Sequence, residues 1–329
     1  MASTIRAPRF DIADAPLSDH RARHDRDADS RMLTARRFAS DLDCFITALH
    51  GRDLPRRKSS RTADGAMRIA TWNVNSVRQR LDHLLTWLKD SQSDVVCLQE
   101  IKCVDEAFPR EPIEALGYNV VTHGQKTFNG VALLSKYPLE EANPGLAGDD
   151  GDVHARFLEG VVSLKHGVVR VACLYLPNGN PVGSEKYPYK LSWMARLRDY
   201  AQQRLRTEEP LILAGDFNVI PQPGDVHNPA AWTEDALFRP ETRESFQALL
   251  GLGFTDALRA TTDAPGQYTF WDYQAGAWQK NWGLRIDHLL LSPQAADRLR
   301  HVGIDSYVRN WEKPSDHVPV WADLDLEAA

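Results

Sequence analysis

A chain of 329 residues with 43% hydrophobic and 26% charged side chains has ordinary globular composition, and at this length one domain buries roughly three quarters of its unfolded surface. The formal net charge of -6 argues against a simple basic nucleic-acid binder, unless acids gather around a cation and bases line a groove. No apolar run approaches the ~20 residues of a membrane span, and the first residues lack the apolar core of a secretory signal, so a soluble, cytoplasmic protein without a membrane partner is expected; it is also expected to be a monomer.

Residues 1–66 are rich in Arg, Asp and Ala and hold no Trp or Tyr, which predicts a largely disordered N-terminal extension. Around "SDLDCFITALHG", Phe38, Leu42, Phe45, Ile46 and Leu49 fall on one helical face, with Ser40 as a cap and Gly51 as a stop, so one short helix is expected. A mitochondrial presequence would be poor in acids, and the many aspartates argue against one. Order is expected to begin at Met67, and residues 67–329 to form the functional domain; "MRIATWNVNS" could itself be a protein's beginning. The extension therefore reads as dispensable, or as an upstream start.

From Met67 the elements alternate. "MRIATWNV" and "DVVCLQE" read as buried strands, separated by "VRQRLDHLLTWLKD" with Leu81, Leu84, Leu85 and Leu88 at helical spacing. "GVALLSK" follows, then "FLEGVVSLK" and "VVRVACLYL", an expected hairpin turning at His166 and Gly167. A helix over roughly Lys186 to Arg206 precedes the strand "LILAGD". Helix "RESFQALLGLG", a strand near "QYTFWDY", strand "RIDHLLLS", helix "PQAADRLR" and strands "GIDSYV" and "HVPVWADL" complete the chain. The pattern predicts mixed sheets packed face to face with helices outside. Cys44, Cys97, Cys103 and Cys173 are too irregularly spaced for a disulfide framework or a zinc knuckle, and Cys97 and Cys173 fall within apolar strands as small hydrophobes.

Several apolar strands end in residues that burial alone does not explain: Asn73 and Asn75, Gln99 and Glu100, Asp216 and Asn218, and Asp287. A buried carboxylate without partners costs several kcal/mol, so these groups should converge on one cleft. Residues two apart on an extended chain share a face, so Asn73 with Asn75, and Asp216 with Asn218, are expected to point together. Singly, an aspartate at a strand end is more often a turn-maker, and His317 could be a satisfied core histidine. "KPSDHVPVW" changes the weighing, because Asp316 and His317 adjoin after a proline turn that would have to bend the chain for both to serve one site. Carboxylates and amides without clustered cysteine or paired histidine favour a hard cation, magnesium or manganese, over zinc, with Glu100 fitting a first ligand. Such a cation suits phosphate-ester hydrolysis.

The ordered motifs "TWNVNS", "CLQEIK", "GVALLSK", "LYLPNG", "GDFN", "YTFWDY", "GLRIDHLLLS" and "KPSDHVPVW" resemble the exonuclease III family of apurinic/apyrimidinic endonucleases over essentially all of Met67 to Leu326. The resemblance implies a four-layered α/β sandwich with its site where the two sheets open. It implies Glu100 as metal ligand with Asn73 beside it, and Asp316 as a further metal-side carboxylate. Asp216 would activate the attacking water with Asn218 orienting it, and His317, oriented by Asp287, would hold the scissile phosphate or move a proton. Tyr175 and Asn178 would bond phosphate oxygens, Lys102 would brace the acids, and Asn228 matches a residue near the phosphate. Phe270, Trp271 and Leu284 correspond to the pocket for a flipped-out sugar, although an aromatic core cluster accounts for Trp271 equally well. The turn "GNPVGSEKY" lacks an arginine that some relatives place there.

The implied activity is magnesium-dependent cleavage of double-stranded DNA 5′ to abasic sites, with 3′-5′ exonuclease and 3′-phosphatase action on blocked 3′ ends. The alternatives are another phosphoesterase of the wider superfamily, acting on RNA or a phospholipid head group, and a catalytically inactive DNA-binding module.

Overall fold

The computed structural model describes residues 66–326, so the N-terminal extension and its expected helix lie outside the described residues. The strands are β1 (Met67–Asn73), β2 (Val95–Gln99), β3 (Asn119–His123), β4 (Val131–Ser135), β5 (Leu139–Pro144), β6 (Phe157–Leu164), β7 (Gly167–Tyr175), β8 (Leu211–Asp216), β9 (Thr255–Asp256), β10 (Asp287–Leu291), β11 (Leu299–Ile304) and β12 (Val320–Leu324). The helices are α1 (Leu81–Ser91), α2 (Arg110–Glu114), α3 (Lys186–Arg204), α4 (Pro240–Leu250) and α5 (Pro293–Ala296). None of these is long and apolar enough to cross a membrane.

Two mixed six-stranded sheets result, in the orders β11-β12-β1-β2-β4-β3 and β5-β6-β7-β8-β10-β9. β1 runs parallel to β2 and β7 parallel to β8, and each parallel pair is joined through a helix, α1 and α3 respectively. Antiparallel neighbours need only short turns, whereas a parallel return requires such a crossover.

The period-2 alternation of the strands builds the layers. Met67 and Ile69 of β1 meet Ile212 and Ala214 of β8 between the sheets, together with Val95, Cys97, Val171, Cys173, Leu289 and Leu291. Ala70 and Trp72 of β1 face outward instead, against Leu84, Trp87 and Leu88 of α1. On the opposite outer face, Leu211 and Leu213 pack under Trp193 and Leu197 of α3 and Phe246 and Leu249 of α4. The four-layered sandwich thus follows from strands that are apolar on both faces, each such side chain contributing roughly 1.5–3 kcal/mol on burial.

The departures from the sequence-based expectation concentrate at sheet edges. β3, β5 and β9, which were not anticipated, are all edge strands, and β5 is exposed along most of its length. An edge strand is covered less than a central one, so its sequence carries a weaker apolar signal. The expected helix "PQAADRLR" stops at Ala296, because Leu299 already pairs with Leu324 in the edge strand β11. The strand expected over "GIDSYV" ends at Ile304, and Ser306–Asn310 form a 3-10 turn. "QYTFWDY" joins no ladder: Phe270 makes only isolated bridges, to Leu284 and His317.

Candidate active site

The site grows directly from the alternation that builds the core. Following the inward-facing column of each central strand leads from Ile69 to Asn73, from Cys97 to Gln99, from Cys173 to Tyr175, from Ala214 to Asp216 and from Leu289 to Asp287. Cross-strand register places Asp216 opposite Tyr175 on one side and Asp287 on the other, and sets Asn73 opposite Gln99. The inner face therefore becomes polar at one end of the sandwich. A neutral layer separates that end from the apolar core: Gln99 Nε2 donates to Thr71 Oγ1 at 3.0 Å and to Cys173 Sγ at 3.4 Å.

Asn73 ties the two sheets together across this end. Its Nδ2 donates to Glu100 Oε1 at 2.9 Å in one sheet and to Asp216 Oδ2 at 3.0 Å in the other. Lys102 Nζ lies 2.8 Å from Glu100 Oε2 and donates to Asn75 Oδ1 at 2.6 Å. Asn75 Nδ2 in turn donates to Asp316 Oδ1 at 3.0 Å. Burial opposes charge on Glu100, yet the Lys102 ammonium and the Asn73 amide outweigh it and hold its carboxyl below the usual range.

The expectation that Asn75 and Asn218 extend their strands needs correction. Both have left-handed backbone, with φ of 44° and 48°. Each N–H folds back onto the preceding acceptor, Asn75 N to Asn73 Oδ1 at 3.0 Å and Asn218 N to Asp216 Oδ1 at 2.9 Å. These are tight side-chain-closed turns, which Asn tolerates better than branched residues. Asn218 Nδ2 then donates to Leu176 O at 2.9 Å, and its Oδ1 accepts from Asn178 Nδ2 at 3.0 Å. Gly215 lets β8 approach β7, since a Cβ there would lie 1.9 Å from Leu174 O.

Beneath that amide pair lies Lys190 of α3, fully buried, donating to Asn218 O at 2.6 Å and to Asn178 O at 3.1 Å. Burial pushes its ammonium down to about 7. Helical spacing within "YPYKLSW" suggested nothing of this role, because a lysine on a predicted helix reads as surface.

His317 and Asp287 form a buried pair, Nδ1 lying 2.9 Å from Asp287 Oδ2. Thr269 Oγ1 donates to that same carboxylate at 2.6 Å and accepts from the N–H of Ile286 at 3.1 Å and of Asp287 at 3.2 Å. His317 Nε2 faces Asp216 Oδ2 at 3.7 Å. Burial disfavours the imidazolium, but the Asp287 and Asp216 carboxylates overcome it and lift His317 to about 10. Burial, reinforced by Asp287, raises Asp216 to about 7 against the pull of His317. Burial, with Glu100 and Asp216 adding to it, drives the Tyr175 phenol well above its ordinary value, so it remains a hydrogen-bond donor. The turn before His317 is docked on β1, Ser315 Oγ donating to Asn73 O at 2.7 Å and Trp72 Nε1 donating to His317 O at 3.1 Å.

Glu100, Tyr175, Asn178, Asp216, Asn218, Phe270, Leu284, Asp316 and His317 open onto one cavity of about 310 Å³. Phe270 stands edge-on to His317 with ring centroids 4.9 Å apart. The same cavity continues toward Asn180, Trp232 and Asp235, which sequence reasoning missed, and Asn180 Nδ2 donates to Asp235 Oδ1 at 3.1 Å. Two expected site residues lie elsewhere. Trp271 is turned into the outer core against Trp278, ring centroids 4.8 Å apart. Asn228 is exposed and outside the cavity lining.

The donor set suits a hard divalent cation. Carboxylate oxygens from Glu100, Asp216 and Asp316 line the cavity, and Asp216, Asp287 and His317 bring possible ligand atoms within 4.8 Å of one another. In the latter trio His317 Nδ1 is already committed to Asp287. Asn73 presents its amide nitrogen, rather than its oxygen, to the Glu100 and Asp216 carboxylates.

Acid, amide and imidazole groups held at one mouth between two sheets make this a hydrolytic site for oxygen-rich substrates. A family model described as the Endonuclease/Exonuclease/phosphatase family matches residues 70–317, and the chain belongs to that family. It is 36% identical to the exodeoxyribonuclease III of Haemophilus influenzae over 266 residues, 78% of this chain and 100% of that relative. A solved structure of the 3′ phosphatase NExo from Neisseria, bound to a product DNA hairpin, is 38% identical with a TM-score of 0.76, covering 79% of this chain and 100% of that one. An AP endonuclease structure from Archaeoglobus fulgidus is 37% identical with a TM-score of 0.75, at the same coverage of 79% and 100%.

Proposed function

We propose that the protein is a metal-dependent DNA-repair phosphodiesterase that cleaves double-stranded DNA 5′ to abasic sites and clears blocked 3′ ends. The observation that carries this reading is the meeting of Asp216 and His317 at one cavity, Nε2 and Oδ2 3.7 Å apart, each fixed from behind by its own partners. The names of the three relatives, an exodeoxyribonuclease, a 3′ phosphatase bound to DNA and an AP endonuclease, support the substrate class.

In this reading Asp287 holds the imidazole by Nδ1 and leaves Nε2 toward the scissile phosphate, where a charged imidazolium offsets the negative charge of the transition state. Asp216, with a pKa near neutrality, takes the proton of the attacking water, for which such a value is well matched. Asn218 orients that water from a turn that cannot drift, because Lys190 grips its carbonyl. Tyr175 and Asn178 donate to phosphate oxygens. Glu100 and Asp316 would hold magnesium or manganese, with Lys102 bracing Glu100 and Asn73 orienting both carboxylates it touches. The cation supplies Lewis-acid neutralisation of the phosphate when bound. Phe270 and Leu284 wall the space for a sugar without its base.

The test is gel analysis of a labelled duplex carrying one abasic analogue. Magnesium-dependent cleavage 5′ to the analogue, abolished by EDTA, is the expected result; an uncut duplex, or turnover confined to RNA or to a phospholipid head group, would sink the reading.

A further inference from the structure

Beyond the cavity, the wall made by Leu284 continues outward into an exposed aromatic face. Trp282, 44% exposed, stands two residues before Leu284, so their Cα atoms are within about 7 Å. The ring is rigidly mounted. Its backbone N–H donates to Ala277 O at 2.8 Å, and the neighbouring Asn281 Oδ1 accepts from Trp271 Nε1 at 3.1 Å. Gly283 is clamped on the other side, since a Cβ there would lie 2.4 Å from the Tyr268 ring. His227 stacks on Trp282, ring centroids 5.6 Å apart and planes 12° from parallel, and its N–H donates to Gly283 O at 3.1 Å. Lys280 Nζ rests 4.2 Å from the centre of the same ring.

A large ring held out in water, beside a cavity suited to phosphodiesters and accompanied by a lysine, matches the two parts of a nucleotide. We propose that Trp282, with His227 bracing it and Lys280 beside it, is a stacking platform for a DNA base whose own neighbour is missing, at an abasic gap or an unpaired 3′ end. The proposal rests on the DNA phosphodiesterase reading above. In an intact duplex both faces of every internal base are covered, so only a base at a gap or an end has a free face to offer. A lysine over an exposed ring is held more weakly than a stacked base, so the base displaces the ammonium. The freed charge then meets a neighbouring phosphate. The platform would favour damaged or frayed DNA over intact DNA before any chemistry occurs.

Binding of the full chain to labelled duplexes whose two ends are closed by identical hairpin loops, so that only the abasic-analogue duplex differs in free base faces, followed by fluorescence anisotropy in EDTA, tests this. Trp282→Ala should weaken binding to an abasic-analogue duplex about 10-fold while leaving an intact duplex within about 2-fold, the loss expected for one stacked base. Trp282→Phe, which keeps a stacking face, should stay within about 3-fold of the native protein on both. Lys280→Ala should weaken the abasic-analogue duplex more than the intact one and lower the slope of its affinity against salt by about one, because the ammonium is freed to meet a phosphate only when a base takes its place on the ring. Melting curves confirm that each variant is folded. Equal losses for Trp282→Ala on both duplexes, or native-like affinity for the abasic one, overturn the platform. Native protein that binds and cleaves abasic DNA while Trp282→Ala matches it overturns the platform alone; native protein that binds neither duplex overturns the DNA reading as well.

Discussion

The two ends of the sandwich are built from the same strands and the same alternation, yet they hold opposite chemistry. At the closed end the inward columns present Met67, Val95 and Leu291, all fully buried. Six residues along β1 from Met67, and four along β10 from Leu291, the same columns present Asn73 and Asp287. Geometry is shared, so the difference lies in what each end is asked to bury. The closed end is stabilised by removing apolar surface from water. The open end carries desolvated charges that are tolerated only because each has a partner, and those charges are what the reaction requires. Substitutions in one column should therefore damage stability at one end and rate at the other.

The largest effect should come from the open end. Asp216→Asn should slow cleavage about a thousandfold, within the range for losing a positioned acid or base, while the melting temperature stays near or above that of the native protein; His317→Ala should slow it as much but also lower the melting temperature, because it leaves the buried Asp287 carboxylate without its cation. Gel cleavage and calorimetry on the same preparations check this, and near-native cleavage by either variant would remove it from the chemistry.

At the closed end Leu291→Ala should cost about 2–5 kcal/mol in urea unfolding, with the folded fraction still cleaving at the native rate. A rate loss matching that of the open end would mean that the two ends are not separable.

An acid-sensitive group outside both columns sharpens the contrast. His288 is buried on the outer face of β10, its Nε2 3.0 Å from Val219 O and its Nδ1 3.0 Å from Arg285 Nη1. Burial, assisted by Arg285, pushes it from 6.5 down to about 4. Between those pH values the unfolded chain binds more protons than the folded one, so stability falls as pH drops through that window, by about 3 kcal/mol when complete. His288→Gln should flatten the dependence of the urea midpoint on pH between 4 and 6.5. An unchanged slope would assign the acid sensitivity to other groups.

The smallest effect on rate should come from Thr269→Val, which keeps the side-chain shape but removes the hydrogen bond to the Asp287 carboxylate and the acceptor for the N–H groups of Ile286 and Asp287. About a 10-fold loss of rate is expected, from the usual worth of a hydrogen bond to a charged group. A measured rate equal to that of the native protein would show that Asp287 orients His317 without help.

Much of the site was legible because its residues violate their surroundings: Asp216 after "LILAG", Glu100 after "VVCLQ" and Asp287 before "HLLLS" interrupt apolar runs at a cost that only convergence repays. Thr269, Lys190 and Asn180 were not legible, because a threonine, a helical lysine and a loop asparagine violate nothing in their local sequence. Trp271 misled for a related reason: "FW" states that two aromatics adjoin, and only the docking of the chain decides which one faces the cavity.

The sequence by itself determined the layered class of the fold and the polar groups gathered at the strand ends, since alternation and interrupted apolar runs are local properties of the chain. Only the tertiary structure decided the edge strands, the folded-back turns at Asn75 and Asn218, and the buried grip of Lys190 on Asn178 and Asn218. Those features arise from contacts between segments far apart in the chain, whose energies are set by partners that no local window contains.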